Sequence, residues 1–422
     1  MATTRRLVTQ RGRTLLRAAE PRVAQPSSGS RMPGIDGLRA VAAGSILIYH
    51  CWLFASPDRI RPKLGLLTWV MPHLTLGVIL FFSLSGFLLY RPFAAAVVRG
   101  VQGPGVRSYL RNRALRILPA YWVILFATGI ALGAALLRDK SSALVVGSLA
   151  GRPLTLIKDV TLVQSYDPWT LLTGIGPAWS LVIEVVFYAT LPLVATLAAV
   201  LARGVVKRRR RRLISLLPPA LLLVIGLLGK VAAHFLQARS GVSVSDGWGA
   251  DWYSVLARSF LANSDLFAFG MALGVLHTEV QDGLVTLPKW WRHAAMIAGG
   301  VVALCTLLIT SNTTGIGDAK YDLLMTVPCG LLLAIVVLPD TRSSHHPLSL
   351  LDSRPLVAVG LASYSLFLWH EPLVHWLREH GLTFSGTGGF VVNLVVLAAI
   401  AGFASALTYR FVEVPAMARR RR

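Results

Sequence analysis

One stretch as apolar as a membrane helix, LRAVAAGSILIYH from Leu38 to His50, carries an ionisable residue near each end. Arg39 and His50 are eleven positions apart. In a helix that is three turns plus about 20°, so they share a face roughly 16 Å apart in depth. Asp36 lies near the same face, a turn below Arg39. A lone arginine here reads as a side chain snorkelling to the interface, and a lone histidine as one satisfied by a neighbouring helix. Two ionisable groups aligned on one face point instead to a site. A histidine there could take a proton from a reacting group as a general base.

In GPAWSLVIEVVFYATLPL, Ser180, Glu184 and Tyr188 recur every four residues and line one face. A glutamate inside a membrane helix is costly unless it is paired, protonated or set in a wet cavity. His50 and Arg39 are its candidate partners, and a His–Glu pair would orient the imidazole as a general base requires. YLRNRALRILPAYW places Arg113 and Arg116 three apart, neighbours on a helix. Paired guanidinium forks match phosphate oxygens, although membrane topology alone also puts arginines at a cytoplasmic edge. In LGVILFFSLSGFLLY, Ser85 and Gly86 would let another backbone or a substrate approach closely. SYSLFLWHEPL places His370 and Glu371 near the outer end of a span, with His375 and His380 expected at the interface or in solvent. Arg258 and Asp265, seven apart on one face, read as a structural ion pair. No glycine-rich phosphate loop, nucleophile elbow or metal-ligand cluster is present, so no metal is expected.

The elements that must position these groups follow from composition. The chain has 422 residues, 54% hydrophobic and only 14% charged, with a mean hydropathy of +0.61. A soluble protein carries about 25% charged residues, so the pattern predicts an all-α polytopic membrane protein. Apolar windows fall at 34–54, 74–95, 114–137, 179–202, 213–236, 256–277, 293–311, 321–338, 356–377 and 389–411, ten in all. Each is long enough to cross about 30 Å of hydrocarbon. The stretch 143–166, broken by GRPLTLIKD, reads as an interfacial or re-entrant piece of a long loop. If the N-terminus is inside, the inner segments hold 28 lysines and arginines and the outer loops 10. That asymmetry follows the positive-inside rule, anchored by KRRRRR at 207–212 and the closing RRRR, and predicts both termini in the cytoplasm. Residues 1–33 read as a basic flexible tail without a signal-peptide core, 34–415 as the membrane domain, and 416–422 as a second basic tail. The net charge of +23 is thereby explained by topology, and no nucleic-acid partner is expected. Cys51, Cys305 and Cys329 show no paired spacing.

Six stretches, taken in order, resemble the type-3 membrane acyltransferase family, whose members O-acylate glycans, lipids and antibiotics. They are GIDGLRAVA followed by His50, FFSLSGFLL, LRNRALRILPAYW, PAWSLVIEVVFY, SYSLFLWHEPL and YRFVEVP, and they span residues 34 to 415. The resemblance implies about ten helices and an acyl-CoA donor taken from the cytoplasm. By position it makes His50 the catalytic histidine and Arg39 its first-helix partner, and matches Arg113 and Arg116 to an R-x-x-R pair that holds the donor. Glu184 matches the acidic residue of a W-S-L-x-x-E element, and His370 the late histidine. Two departures stand out: Val185 replaces a second acidic residue, and EVP replaces E-R-P near the end. Some relatives carry an extracytoplasmic hydrolase-like domain. This sequence stops at its tenth span, and the expectation is that it completes the transfer itself or hands over to a separate protein.

The expected function is O-acyl transfer at the plasma (inner) membrane. A short acyl group, acetyl by default, would pass from acyl-CoA to a hydroxyl of an envelope glycan, glycolipid or secreted metabolite. His50 and Glu184 would do the chemistry, and Arg39, Arg113 and Arg116 would hold the donor. Ser85, Ser180, Tyr188 and His370 would face substrate. No resident cofactor is expected, acyl-CoA being a co-substrate. The partners are the bilayer, the donor and the acceptor, with self-association left open. The rival reading is a transporter or flippase using the same buried ions, against which the absence of a clear two-half repeat counts. A non-catalytic scaffold is the third.

Overall fold

In lipid, a helix satisfies its own backbone within one segment, and the apolar runs of this chain are helices in the computed structural model. The structure describes residues 32–241, 248–310, 319–338 and 349–419. The basic tail up to residue 31 and the arginines at 420–422 lie outside the described residues. The helices are α1 (Ile35–Phe54), α2 (Leu66–Val70), α3 (Leu76–Arg99), α4 (Val106–Phe126), α5 (Pro153–Val160) and α6 (Ala178–Leu201). There follow α7 (Arg208–Ser215), α8 (Leu217–Ser240), α9 (Trp252–Ala257), α10 (Phe260–Asn263), α11 (Asp265–Gln281) and α12 (Trp291–Ile309). The last are α13 (Ala319–Val337), α14 (Arg354–Leu361), α15 (Ser363–Glu379), α16 (Gly386–Thr408) and α17 (Val414–Ala418). A small antiparallel hairpin, β1 (Ala135–Arg138) with β2 (Leu144–Gly147), sits in the loop between α4 and α6.

Among the described residues eight helices are long and apolar enough to cross a membrane, and a pair bent by 72° makes a ninth. The bent pair is α14 and α15, where one continuous span was expected over 356–377. The sixth expected window, 256–277, is broken into α9, α10 and α11. Asn263 accounts for the break. Its side-chain amide donates to the carbonyls of Ala257 and Ser259, both at 2.9 Å, replacing helical bonds that the chain gives up there. The third window ends early: α4 stops at Phe126 and a π-turn at Ala127–Ala131 leads into β1. The stretch 143–166 is not a span; it contributes β2 and the eight-residue α5.

Two features of the packing set up the site. α3 and α11 meet at backbone contact through Gly86 and Gly270. A Cβ on Gly86 would stand 2.3 Å from the carbonyl oxygen of Phe267, and one on Gly270 would stand 1.9 Å from that of Ser83. Small residues are what allow this approach. Gly86 therefore seats a neighbouring helix, while Ser85 beside it is free to turn to another face. The second feature is the loop from β1 to α6. Leu136 and Gly174 exchange backbone hydrogen bonds at 2.9 Å each, and Tyr121 of α4 donates to the carbonyl of Asp159 at 2.6 Å. These bonds tie the loop down over the ends of the helices, so its last residues before α6 have a fixed position.

Arg258 and Asp265 do not pair as expected. Asp265 accepts from Lys230 of α8 at 2.6 Å, and the same ammonium also donates to the carbonyl of Ala262 at 2.7 Å. The Arg258 guanidinium lies 3.3 Å from the centre of the Trp248 ring, a cation–π contact. The break of the sixth window between the two residues destroys the seven-residue helical phase on which the expected pair depended.

Candidate active site

Seven of the residues singled out from the sequence line one cavity of about 340 Å³ between α1, α3, α4, α6 and α15. They are Arg39, Ser85, Arg113, Arg116, Ser180, Glu184 and Tyr188. Its size falls within the range of small-molecule sites, roughly 300–1,000 Å³. The helical phase of each element explains the convergence: Ser180, Glu184 and Tyr188 are successive turns of one α6 face, and Arg113 and Arg116 are neighbours on α4. Ser85 donates a short hydrogen bond to Glu184, and Tyr188 also hydrogen-bonds that carboxylate. Arg39 interacts electrostatically with Asp36, Glu184 and Glu413, while Arg116 opposes it. Buried atoms Nε of Arg113 and Nη2 of Arg116 have no hydrogen-bond partner among the described residues. Such guanidinium donors suit an anionic oxygen ligand. Ser363, Tyr364 and Phe367 of α15 complete the wall, and none of them was singled out from the sequence.

His50 and His370 are not in that lining; they form a second centre farther along α1 and α15. Nδ1 of His50 lies 2.7 Å from Nε2 of His370 and 3.2 Å from Oε2 of Glu371. The two rings stand nearly parallel, with centroids 5.0 Å apart. Nδ1 of His370 is 3.1 Å from the carbonyl oxygen of Leu366. A carbonyl only accepts, so His370 carries its proton on Nδ1, and its Nε2, when the ring is neutral, is an acceptor. The bond to His50 is then donated by His50 Nδ1–H, which the Glu371 carboxylate also favours. A neutral His50 held this way has its lone pair on Nε2. His370 is buried, whereas the His50 side chain keeps 16% of its exposure.

Glu184, expected to orient His50, does not do so: its hydrogen bonds go to Ser85 and Tyr188 in the cavity, and Glu371 takes the place beside the imidazole. Helical phase told which face of α6 carries Glu184 but not which helix lies opposite it at that depth. His375 also departs from expectation. It is buried, with Nε2 3.5 Å from Oε1 of Glu371, while His380 is exposed. The spacing of Ser363, Phe367, His370 and Glu371 is the helical signal that could have brought all four to one face. Gly176, just before α6, closes the centre from the loop side. A Cβ there would lie 2.1 Å from Oε1 of Glu371 and 2.9 Å from Leu136, so no other residue fits without displacing the carboxylate. His50, His370 and Glu371 present three ligand atoms within 4.8 Å of one another. The 2.7 Å nitrogen separation is that of a hydrogen bond, shorter than the roughly 3.3 Å between two imidazoles on a tetrahedral zinc.

The histidine centre, the cavity with its unpartnered guanidinium nitrogens and the bundle of apolar helices all lie in a chain with extensive similarity to known proteins. The acyltransferase domain of the acyltransferase-3 type matches residues 32–410. The chain belongs to the acyltransferase-3 family. OatA, an O-acetyltransferase of Staphylococcus aureus strain NCTC 8325, is 24% identical to it over 396 residues, covering 91% of this chain and 57% of OatA. A provisionally named O-acetyltransferase of strain MSSA476 is likewise 24% identical, over 398 residues, with the same coverage of both chains. The chain thus spans little more than half the length of these relatives. No solved structure matches it. As an acyltransferase-3 member it is a multi-pass membrane protein, and both centres lie within the matched region.

Proposed function

We propose that the protein transfers a short acyl group, acetyl by default, from acyl-CoA to a hydroxyl of an envelope glycan, glycolipid or secreted metabolite. The observation that carries this reading is the state of His50: His370 and Glu371 both engage Nδ1, leaving Nε2 as the basic atom. The O-acetyltransferase names of the relatives support the acyl group and the hydroxyl acceptor.

In the proposed reaction Arg39, Arg113 and Arg116 hold the phosphates of the donor, and its thioester extends along α1 toward His50. Nε2 of His50 takes the proton of the acceptor hydroxyl as its oxygen attacks the thioester carbonyl carbon. Glu371 stabilises the imidazolium that forms. The tetrahedral intermediate collapses, the carbon–sulfur bond breaks, and the proton passes from His50 to the departing sulfur. The products are an O-acyl ester and free CoA thiol. The basic end of the bundle, with KRRRRR at 207–212, faces the cytoplasm in this reading, which sets the donor cavity on the side where CoA is found.

Free thiol released from acetyl-CoA, by purified protein with envelope membranes of the parent cells as acceptor, tests the reading. Wild-type protein is expected to release thiol in step with ester formation, and His50→Ala to abolish both. Normal turnover by His50→Ala would refute the role of this histidine. Transport of an envelope precursor without thiol release would refute the enzyme reading.

A further inference from the structure

The cavity and the histidine centre share one helix face but do not meet. Along α15, Ser363 and Tyr364 lie in the cavity wall, Phe367 is next, and His370 and Glu371 follow one turn later. Among the described residues, the lining ends on α15 at Phe367, runs on α3 past Phe81 to Val78, and includes neither histidine. The Phe367 ring has one neighbour on each side. Its centroid is 5.8 Å from that of His370 and 5.9 Å from that of Phe81, which it meets edge to face. Phe81 in turn packs against a core cluster that includes Ala43 and Leu47 of α1, on the stretch between Arg39 and His50, together with Leu366 of α15. Both phenylalanines are only partly buried, whereas the core around them is closed.

Resting on the donor reading above, we infer that Phe367, backed by Phe81, is a shutter between the donor cavity and the histidine centre, and that it selects acyl length. A thioester anchored among the arginines reaches His50 only by passing these rings. Rotation of a phenylalanine about its side-chain bonds opens a slot for a flat two-carbon acyl group. Each further methylene has to be fitted between two rings and the apolar wall of α1. A pocket that rejects one methylene discriminates by roughly 10-fold to 200-fold. Phe367 is thus a specificity-determining residue, and the chemistry remains with His50.

Initial rates of thiol release with acetyl-, butyryl- and hexanoyl-CoA, envelope membranes serving as acceptor, test this. Phe367→Ala and, as a milder opening, Phe367→Leu are expected to raise the butyryl-to-acetyl ratio of kcat/KM by roughly tenfold or more. Phe81→Ala is expected to act in the same direction. Phe367→Trp is expected to act in the opposite direction, lowering kcat/KM for butyryl-CoA more than for acetyl-CoA. A general structural disturbance would lower all donors together and leave the ratio where it was. Unchanged ratios in Phe367→Leu and Phe81→Ala proteins that still turn over acetyl-CoA would overturn the shutter alone. Failure of the wild-type protein to release thiol from any of the three donors would overturn the donor reading and the shutter with it.

Discussion

The sharpest test of the site is Glu371→Gln, because it separates the carboxylate that touches His50 from the one the sequence put forward. Oε2 of Glu371 stands 3.2 Å from Nδ1 of His50. At that distance and an effective dielectric of ~20, a full imidazolium–carboxylate pair is worth about 5 kcal/mol. The imidazolium exists only once the base has taken its proton, so this stabilisation belongs to the transition state rather than to bound substrate. Glutamine keeps the volume and an acceptor oxygen, so part of the interaction survives as a dipole. The expected loss is about 4 kcal/mol, on the order of 10³ in kcat, close to the ~10⁴ that the equivalent change costs a serine-protease triad. The KM for acyl-CoA should hold, since Glu371 is not part of the donor cavity. Glu184→Gln should do the reverse. It removes the carboxylate that Ser85 and Tyr188 hold among the arginines, and so should act on KM first. Thiol release measured over a range of acetyl-CoA concentrations, on protein shown to be folded by its melting curve, gives both constants. A Glu371→Gln protein within fivefold of wild type, or a Glu184→Gln protein with the larger kcat defect, would refute the assignment.

Three further outcomes follow from the geometry. Gly176→Ala should cut kcat at least tenfold with the melting temperature little changed, because the new Cβ must push Glu371 away from His50; normal kcat would show that the carboxylate shifts freely. Lys230→Met should lower stability by about 3–5 kcal/mol, the range for stripping one partner from a buried pair, and leave the donor KM alone, since Lys230 serves Asp265 and the carbonyl of Ala262; denaturation of the variant in detergent checks this. Asp159, buried in the loop before α6, has its carboxyl pushed up to about 7 by desolvation, against a hydrogen bond from Thr173. A carboxyl raised in the folded state gives stability that is full below its unfolded value near 4 and lost as pH rises toward 7. Hydrogen exchange over 153–176 should therefore speed up across that window beyond its intrinsic pH dependence, and Asp159→Asn should remove the excess.

What was legible in the sequence was whatever one helix decides by itself. Arg39 and His50 share a face because both belong to α1, and Ser180, Glu184 and Tyr188 converge because α6 is continuous through all three. What was not legible was which helices face each other, and at what height. Glu184 and Glu371 are both acidic residues in apolar surroundings, and nothing in their local patterns distinguishes the one at the level of Ser85 from the one at the level of His50. The break of the sixth window was hidden for a different reason. Hydropathy registers the apolar content of 256–277 but not that the Asn263 amide can take over the carbonyls of Ala257 and Ser259. Once the helix breaks, Arg258 and Asp265 lose their common face, and Asp265 meets Lys230, whose charge lay unremarked in the fifth window.

The separation of the two centres has an electrostatic reason. Three guanidiniums, Arg39, Arg113 and Arg116, face Glu184 and, through Arg39 and Arg116, Glu413. In the lining itself the three guanidiniums outnumber the one carboxylate, Glu184, while Glu413 and Asp36 balance them from outside it, so the wall presents positive charge to an anionic ligand. The same field set beside His50 would work against a base that must become an imidazolium in the transition state. The structure keeps the charges apart: the ionisable groups around His50 are Glu371, His370 and, behind Glu371, His375, and the stretch of α1 between it and Arg39 is largely apolar. Eleven residues of helix place the histidine roughly 16 Å beyond the first arginine, where at an effective dielectric of ~20 a guanidinium opposes the imidazolium by only about 1 kcal/mol.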